Sequence, residues 1–254
     1  MPAVFVHGVP DTAALWDSVV SHLDRTDVAQ LDLPGFGAAR PAGFEPTKEA
    51  YAAWLTEQVE AQVEAGGGPV DLVAHDWGGI LALRVASTRP DLIRTLAVGG
   101  CPVDAEYTWH AMAQLWQTPG AGEQFVEGWL ATPATDRVAG LVSGGSPADL
   151  APHQAAAMDA EMTDCILVLY RSAVEVGAEW QPAVEAMPAR PALVLTGADD
   201  LYVPREIAER LARRLDARLV VFDGCGHWWP WARAAETAAA LEALWAGAHT
   251  APAR

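Results

Sequence analysis

Short, nearly continuous apolar runs alternate along the chain with longer amphipathic stretches, the pattern of a parallel sheet wrapped in helices. The runs predict strands near 3–6, 28–32, 70–74, 95–100, 192–196 and 218–222. The stretches between them predict helices near 13–24, 47–65, 78–88, 204–215 and 232–246. Right-handed crossovers place the strand ends, and the loops that follow them, along one edge of such a sheet.

From about 102 to 188 the alternation breaks, with helical stretches near 107–117 and 152–177 and no convincing strand. The expected organisation is an α/β core in two parts, 1–101 and 189–254, with 102–188 inserted as a helical cap. An insertion after the strand ending near Gly100 lies over the carboxyl edge of the sheet and roofs a pocket. Tyr107, Trp109, Trp116, Trp129, Tyr170 and Trp180 fall inside it, and most such aromatics pack between cap and core.

Composition narrows the classes. At 254 residues, 51% of them apolar, the chain fits one α/β domain with a large core. A formal charge of −17 argues against a nucleic-acid partner, which needs a basic surface. The three cysteines, Cys101, Cys165 and Cys225, are odd in number and far apart, which suits a reducing compartment. Cys225 is read as a small buried thiol. With a strand at its start, no leader pattern and no run long enough to span a bilayer, the chain is expected to be cytoplasmic and to have no membrane partner. The pattern sets no oligomeric state.

The candidate chemistry gathers in the loops along the predicted edge. Val73-Ala74-His75-Asp76-Trp77-Gly78-Gly79 reads as a strand running through a tight turn into a helix, with Asp76 at the turn. A serine alkoxide there attacks acyl carbon. A carboxylate instead displaces a leaving group from saturated carbon and leaves an ester that water cleaves. A plain helix-capping role for Asp76 leaves the preceding strand and the Gly-Gly pair unexplained.

His7-Gly8-Val9-Pro10 follows the first strand, and its turn aims the Val9 N–H at a pocket; the Trp77 N–H is the matching second oxyanion donor. Gly197-Ala198-Asp199-Asp200 ends another strand in a Gly-x-x-Asp turn, which offers Asp200 to orient a histidine, with Asp199 bonding the turn and Asp104 in reserve. His227, in the loop before the last helix, completes the order nucleophile, acid, histidine. His22, His75, His153 and His249 have no such setting and are read as structural.

His7-Gly8-Val9-Pro10, Asp32-Leu33-Pro34-Gly35-Phe36-Gly37 and His75-Asp76-Trp77-Gly78-Gly79 together resemble motifs of the α/β-hydrolase superfamily. Within it they resemble the Asp-nucleophile group of epoxide hydrolases, haloalkane dehalogenases and fluoroacetate dehalogenases. The resemblance implies an α/β-hydrolase fold with a helical cap. Because many relatives carry extra strands ahead of the His-Gly turn, it implies here a shortened, mostly parallel sheet of about six strands. It also implies a covalent ester on Asp76, water activated by His227 paired with Asp200, an oxyanion held by the Val9 and Trp77 amides, and no cofactor or metal.

Tyr170, within Leu169-Tyr170-Arg171-Ser172, resembles one of the two cap tyrosines with which epoxide hydrolases protonate the epoxide oxygen. The stretch 113–120, which resembles the region of the other, holds no tyrosine, and Tyr107 is the nearest substitute. Haloalkane dehalogenases hold the halide with the indole after the nucleophile, here Trp77, and a second donor. In one branch that donor is an Asn where this chain has Val9; in another it is a cap Trp, for which Trp109 or Trp116 stands. Fluoroacetate dehalogenases carry arginines around the nucleophile to bind the substrate carboxylate, where this chain has Trp77 and Gly79, so an anionic substrate is not expected.

The resulting expectation is epoxide hydrolysis, with dehalogenation as the alternative. The substrate is expected to be a small apolar or aromatic molecule, bound among Trp77, Trp109, Trp116 and Tyr107. No serine occupies the elbow, which disfavours an esterase, and the filled triad positions disfavour a noncatalytic receptor.

Overall fold

The computed structural model describes residues 1–250, with side chains through Ala248; the side chain of His249, read above as structural, lies outside them. Six strands, β1 (Ala3–Val6), β2 (Val28–Leu31), β3 (Val70–His75), β4 (Ile93–Gly99), β5 (Ala192–Gly197) and β6 (Arg218–Phe222), form one sheet. All pairings are parallel, in the order β2-β1-β3-β4-β5-β6. The order reverses between β1 and β3, the kind of switch point at which α/β sheets place a ligand crevice.

The central strands are buried on both faces, which explains their nearly unbroken apolar sequence. Besides His75 at its end, one polar residue interrupts β3. Asp71 is fully buried and takes Arg94 Nε and Arg25 Nη1 at 2.8 Å and the Thr95 hydroxyl at 2.7 Å, so its charge is satisfied inside the sheet.

Register brings the working ends level. His75 pairs with Gly99, Gly99 with Leu195, and Leu195 with Val220. The loops after β3, β5 and β6 therefore emerge side by side.

Helix α1 (Lys48–Gly66) starts where the Thr47 hydroxyl accepts the Ala50 N–H and stops at Gly67, which has the left-handed conformation. Helix α2 (Trp77–Thr88) is buried along most of its length behind the sheet edge. Between β4 and β5 the chain forms helices α3 (Ala111–Gln117), α4 (Ala121–Ala131), α5 (Ala134–Ser143), α6 (Ala151–Ala157), α7 (Ala160–Ser172) and α8 (Val176–Glu185), and no strand. The predicted 152–177 helix is thus broken. At the break Asp159 accepts the Met162 N–H at 2.9 Å and starts a new helix. Near 13–24 the predicted helix is a short 3₁₀ turn, Ala13–Trp16, followed by Asp17–Ser21. No described helix is long and apolar enough to cross a membrane.

Candidate active site

The strand-turn-helix reading of residues 73–79 holds in detail. Asp76 lies between β3 and α2 with φ 53° and ψ −124°, a left-handed region costly for a side-chain-bearing residue. Its N–H donates to the Gly99 carbonyl at 2.9 Å, which anchors the turn to the neighbouring strand. Two glycines make the site possible. A Cβ on Gly8 would collide with the Asp76 carboxyl group, and one on Gly78 would collide with the backbone oxygens of Val6 and His7.

Asp76 Oδ1 accepts the Val9 N–H at 2.7 Å, and Oδ2 faces His227 Nε2 at 3.4 Å. His227 Nδ1–H donates to Asp200 Oδ2 at 2.8 Å. Asp200 Oδ1 accepts the N–H groups of Tyr202 and Val203 at 2.8 and 3.0 Å, which fixes the acid. The Trp77 N–H begins α2 and has no acceptor within its helix.

Burial opposes charge at all three side chains, and the mutual pairing outweighs it. His227 is pushed up to about 10 against its burial, by Asp200 and then Asp76. Burial would raise Asp76 and Asp200, but His227 holds both below the usual carboxylate value. The resting site is a carboxylate–imidazolium–carboxylate line, with the Asp76 anion on the cavity wall.

Two neutral histidines brace it. Leu33 N–H donates to His7 Nε2 at 3.1 Å, so the ring proton is on Nδ1, which donates to Gly8 O at 2.7 Å. The first two sequence motifs thus lock to each other. His75 donates from Nε2 to the His227 carbonyl at 3.0 Å and, chiefly through burial, is held down to about 3.

Asp76 and His227 line a cavity of about 340 Å³ together with residues of the helical insertion. Tyr170 and Trp116 are on its wall. Burial and then the Asp76 charge raise the Tyr170 phenol well above its ordinary value, so it stays protonated. The other expected pocket aromatics are placed differently. Tyr107 gives its hydroxyl to the Tyr202 carbonyl at 2.8 Å, and Trp109 gives its indole N–H to the Ala173 carbonyl at 3.1 Å. Neither lines the cavity, each polar edge instead satisfying a backbone carbonyl, and Trp77, fully buried behind Tyr170, does not line it either. Trp77 stacks on Trp109 at 5.8 Å and meets the Tyr170 ring edge-on at 5.2 Å. Its buried indole Nε1 makes no short hydrogen bond among the described residues, and the Tyr170 hydroxyl is the acceptor it interacts with.

Asp104, the reserve acid, pairs with Arg210 and Arg214 at 2.8 Å. That pairing outweighs its desolvation and holds it down to about 2. Asp199 is exposed and contributes its N–H to Cys225 O at 2.9 Å. The three cysteines are free and buried.

Three residues of the site carry no local sequence signal of their role. His110 caps α3, accepting the Ala113 N–H at 3.3 Å, lines the cavity and is lowered by burial to about 4. Tyr202 ties the acid loop to the insertion by donating to Gly144 O at 2.7 Å, with its ring 5.1 Å from that of His227. Asp11, directly after the His-Gly-Val-Pro turn, is buried and accepts Gln154 Nε2 at 2.8 Å and Trp228 Nε1 at 3.0 Å. The Ser146 hydroxyl extends the chain to Gln154 Oε1 at 2.5 Å. This network joins the β1 loop, the insertion and the residue beside His227.

Desolvation raises Asp11 to about 6 from an ordinary 3.8. The folded state holds this proton more tightly than the unfolded chain. The associated stability is complete below about pH 4 and is lost as pH rises through about 6. Asp11→Asn removes the charge, and a flip of Gln154 with rotation of the Ser146 hydroxyl re-forms every bond. The expected result is a gain on the order of 1–3 kcal/mol at pH 8 and little change at pH 4. Thermal unfolding of both proteins across that range checks it; equal gains at the two pH values would reject a buried charge at Asp11.

The fold and site together define an α/β-type hydrolase scaffold with a carboxylate at the nucleophile elbow. The chain belongs to the alpha/beta hydrolase family, which matches residues 3–240. It is 26% identical to lipase LipV of Mycobacterium tuberculosis, over 93% of this chain and 90% of the lipase. It is 27% identical to a haloalkane dehalogenase of Bradyrhizobium diazoefficiens, over 88% of this chain and 79% of that enzyme. The crystal structure of haloalkane dehalogenase DbeA from Bradyrhizobium elkani superposes with a TM-score of 0.73 at 23% identity, covering 97% of this chain and 91% of that one. At that identity the likeness shows the fold. Asp76 at the elbow is consistent with the Asp-nucleophile group.

Proposed function

We propose that the protein opens an electrophilic sp3 carbon through a covalent ester on Asp76, which His227-activated water then hydrolyses. One observation carries the reading: Asp76 stands on the strained elbow, in line with His227 and Asp200, and faces an apolar cavity. Oδ1 is held by the Val9 N–H, so Oδ2 is the attacking atom and Oδ1 becomes the ester carbonyl oxygen. Esterification cancels the Asp76 charge that helps keep His227 protonated. Burial then pulls the imidazole down toward a neutral base. His227 takes a proton from water as its oxygen attacks the ester carbonyl. The Val9 and Trp77 amides receive the oxyanion, and collapse releases the alcohol and restores the Asp76 carboxylate.

Epoxide opening rests on Tyr170, a protonated phenol on the cavity wall, which donates its proton to the departing oxygen as the ring C–O pair moves onto it. A specific observation favours a second reading, cleavage of carbon–halogen bonds. The buried Trp77 indole N–H interacts with the Tyr170 hydroxyl, which lines the cavity, and the pair offers donors to a departing halide. The likeness to haloalkane dehalogenases points the same way. The substrate is a small, largely apolar molecule, and the reaction needs neither cofactor nor metal. An esterase reading lacks its nucleophile, since Ser143 and Ser146 bond Ala139 O and Gln154 and line no part of the cavity.

Tyr170→Phe separates the two leaving groups. If epoxides are the substrates, diol formation falls by roughly 10²-fold or more, the usual worth of a positioned acid, while bromide release from a primary bromoalkane is largely spared. Trp77→Phe has the opposite pattern if halides are the substrates. Chromatography of diol and halide products from both variants reads the outcome. Unchanged rates in both variants would remove both leaving-group assignments.

A further inference from the structure

The wall shared with Asp76 is apolar over much of its area and, besides the His227 imidazolium held between Asp76 and Asp200, carries the Arg137 guanidinium of α5. Its guanidinium lies over the Trp129 ring at 5.5 Å, and its Nε is buried with no hydrogen-bond partner among the described residues. Arg25, Arg94, Arg171, Arg210 and Arg214 each hold a carboxylate; Arg84 and Arg190, like Arg137, pair with none, but of these only Arg137 lines the cavity of Asp76. In a chain with 33 acidic and 16 basic residues, a half-buried arginine left without an anion on a cavity wall is a vacant anion site. Asp136 lines the same cavity, but it is exposed and sits against the Thr135 hydroxyl at 3.4 Å.

We propose that Arg137 binds a carboxylate on the substrate, so that the substrate class is a medium-length organic acid bearing its electrophilic carbon at the end remote from that carboxylate. The assignment of the reacting end rests on the Asp76 reading. Asp76 and Arg137 line one cavity of about 340 Å³, so a chain between them can meet both. Trp116, Phe125, Trp129 and Met158 give its methylenes an apolar wall. Arginines at the nucleophile, the usual sign of an anionic substrate in the group this chain resembles, are replaced here by Trp77 and Gly79. The cap supplies the cation instead. The net charge of −17 does not forbid an anion, because charges on the outer surface are screened within about 8 Å at physiological salt.

Unreactive ligands test the site independently of the chemistry. Hexanoate and hexanamide are titrated calorimetrically into the wild type, Arg137→Gln and Arg137→Lys. Hexanoate is expected to bind the wild type at least about tenfold more tightly than hexanamide, the scale of one charge-assisted contact. The ratio falls to about one in Arg137→Gln and is partly kept in Arg137→Lys. Asp136→Asn raises it. A wild-type ratio near or below one, a preference unchanged in Arg137→Gln, or failure of both ligands to bind overturns the proposal. Intact mass of His227→Gln after separate exposure to 6-bromohexanoate and 5,6-epoxyhexanoate reports on Asp76 separately, an adduct from either counting as one. Hexanoate preference without an adduct removes the Asp76 reading and keeps the anion site, and an adduct without the preference does the reverse.

Discussion

Asp76→Ala is expected to abolish turnover, by roughly 10⁴-fold or more, the scale of removing a nucleophile that works as part of a triad. The loss arises in the first bond-making step, since Asp76 is the carboxylate that the Val9 N–H holds and that faces His227. Stability should change little. Alanine inherits the same positive φ, so the backbone strain is common to both proteins, and His227 keeps Asp200 as its partner at 2.8 Å. Thermal unfolding and far-ultraviolet circular dichroism verify the fold, and product assays with epoxides and bromoalkanes verify the loss. A folded Asp76→Ala protein with wild-type turnover would remove the nucleophile assignment.

His227→Gln divides the reaction at the ester. Attack by Asp76 Oδ2 needs no base, because the carboxylate is already ionised, whereas hydrolysis needs a group to take the water proton. The variant should form the alkyl-enzyme at a measurable rate and then stall, with hydrolysis slowed by roughly 10²–10⁴-fold, the usual worth of a positioned general base. Intact-protein mass shows the trapped species. The increment is the whole mass for an epoxide and the alkyl group without bromine for a bromoalkane. A variant that turns over slowly but never accumulates an adduct would place His227 in the first step or outside the chemistry.

The residues at the strand ends were legible because their signals are local. Asp76 and Asp200 follow buried strands and His227 the half-buried edge strand β6, each in a glycine-containing or tight turn, and parallel register carries those turns to one edge. The number and parallel direction of the strands follow from the same short apolar runs.

What the chain hides lies in packing across long sequence separations. Asp11 meets Trp228 and Gln154, and Tyr107 meets Tyr202, through contacts that no spacing rule predicts. Tyr107 and Trp109 look available as donors in the sequence. In the fold, backbone carbonyls left over at turns and helix ends take their hydrogens. His110 shows the converse. A helix-capping histidine has an ordinary local role, and only the position of the insertion over the sheet brings it to the cavity.

The most direct measurement of the central claim is a single turnover in ¹⁸O-water with enzyme in excess, followed by mass analysis of both product and the peptide containing Asp76. The ester route takes the new product oxygen from Asp76 and returns a water oxygen to the carboxylate. The first-turnover product should therefore be unlabelled and the Asp76 peptide heavier by one ¹⁸O. Label in the first product, with an unlabelled Asp76 peptide, would mean direct attack by water and would contradict the covalent mechanism.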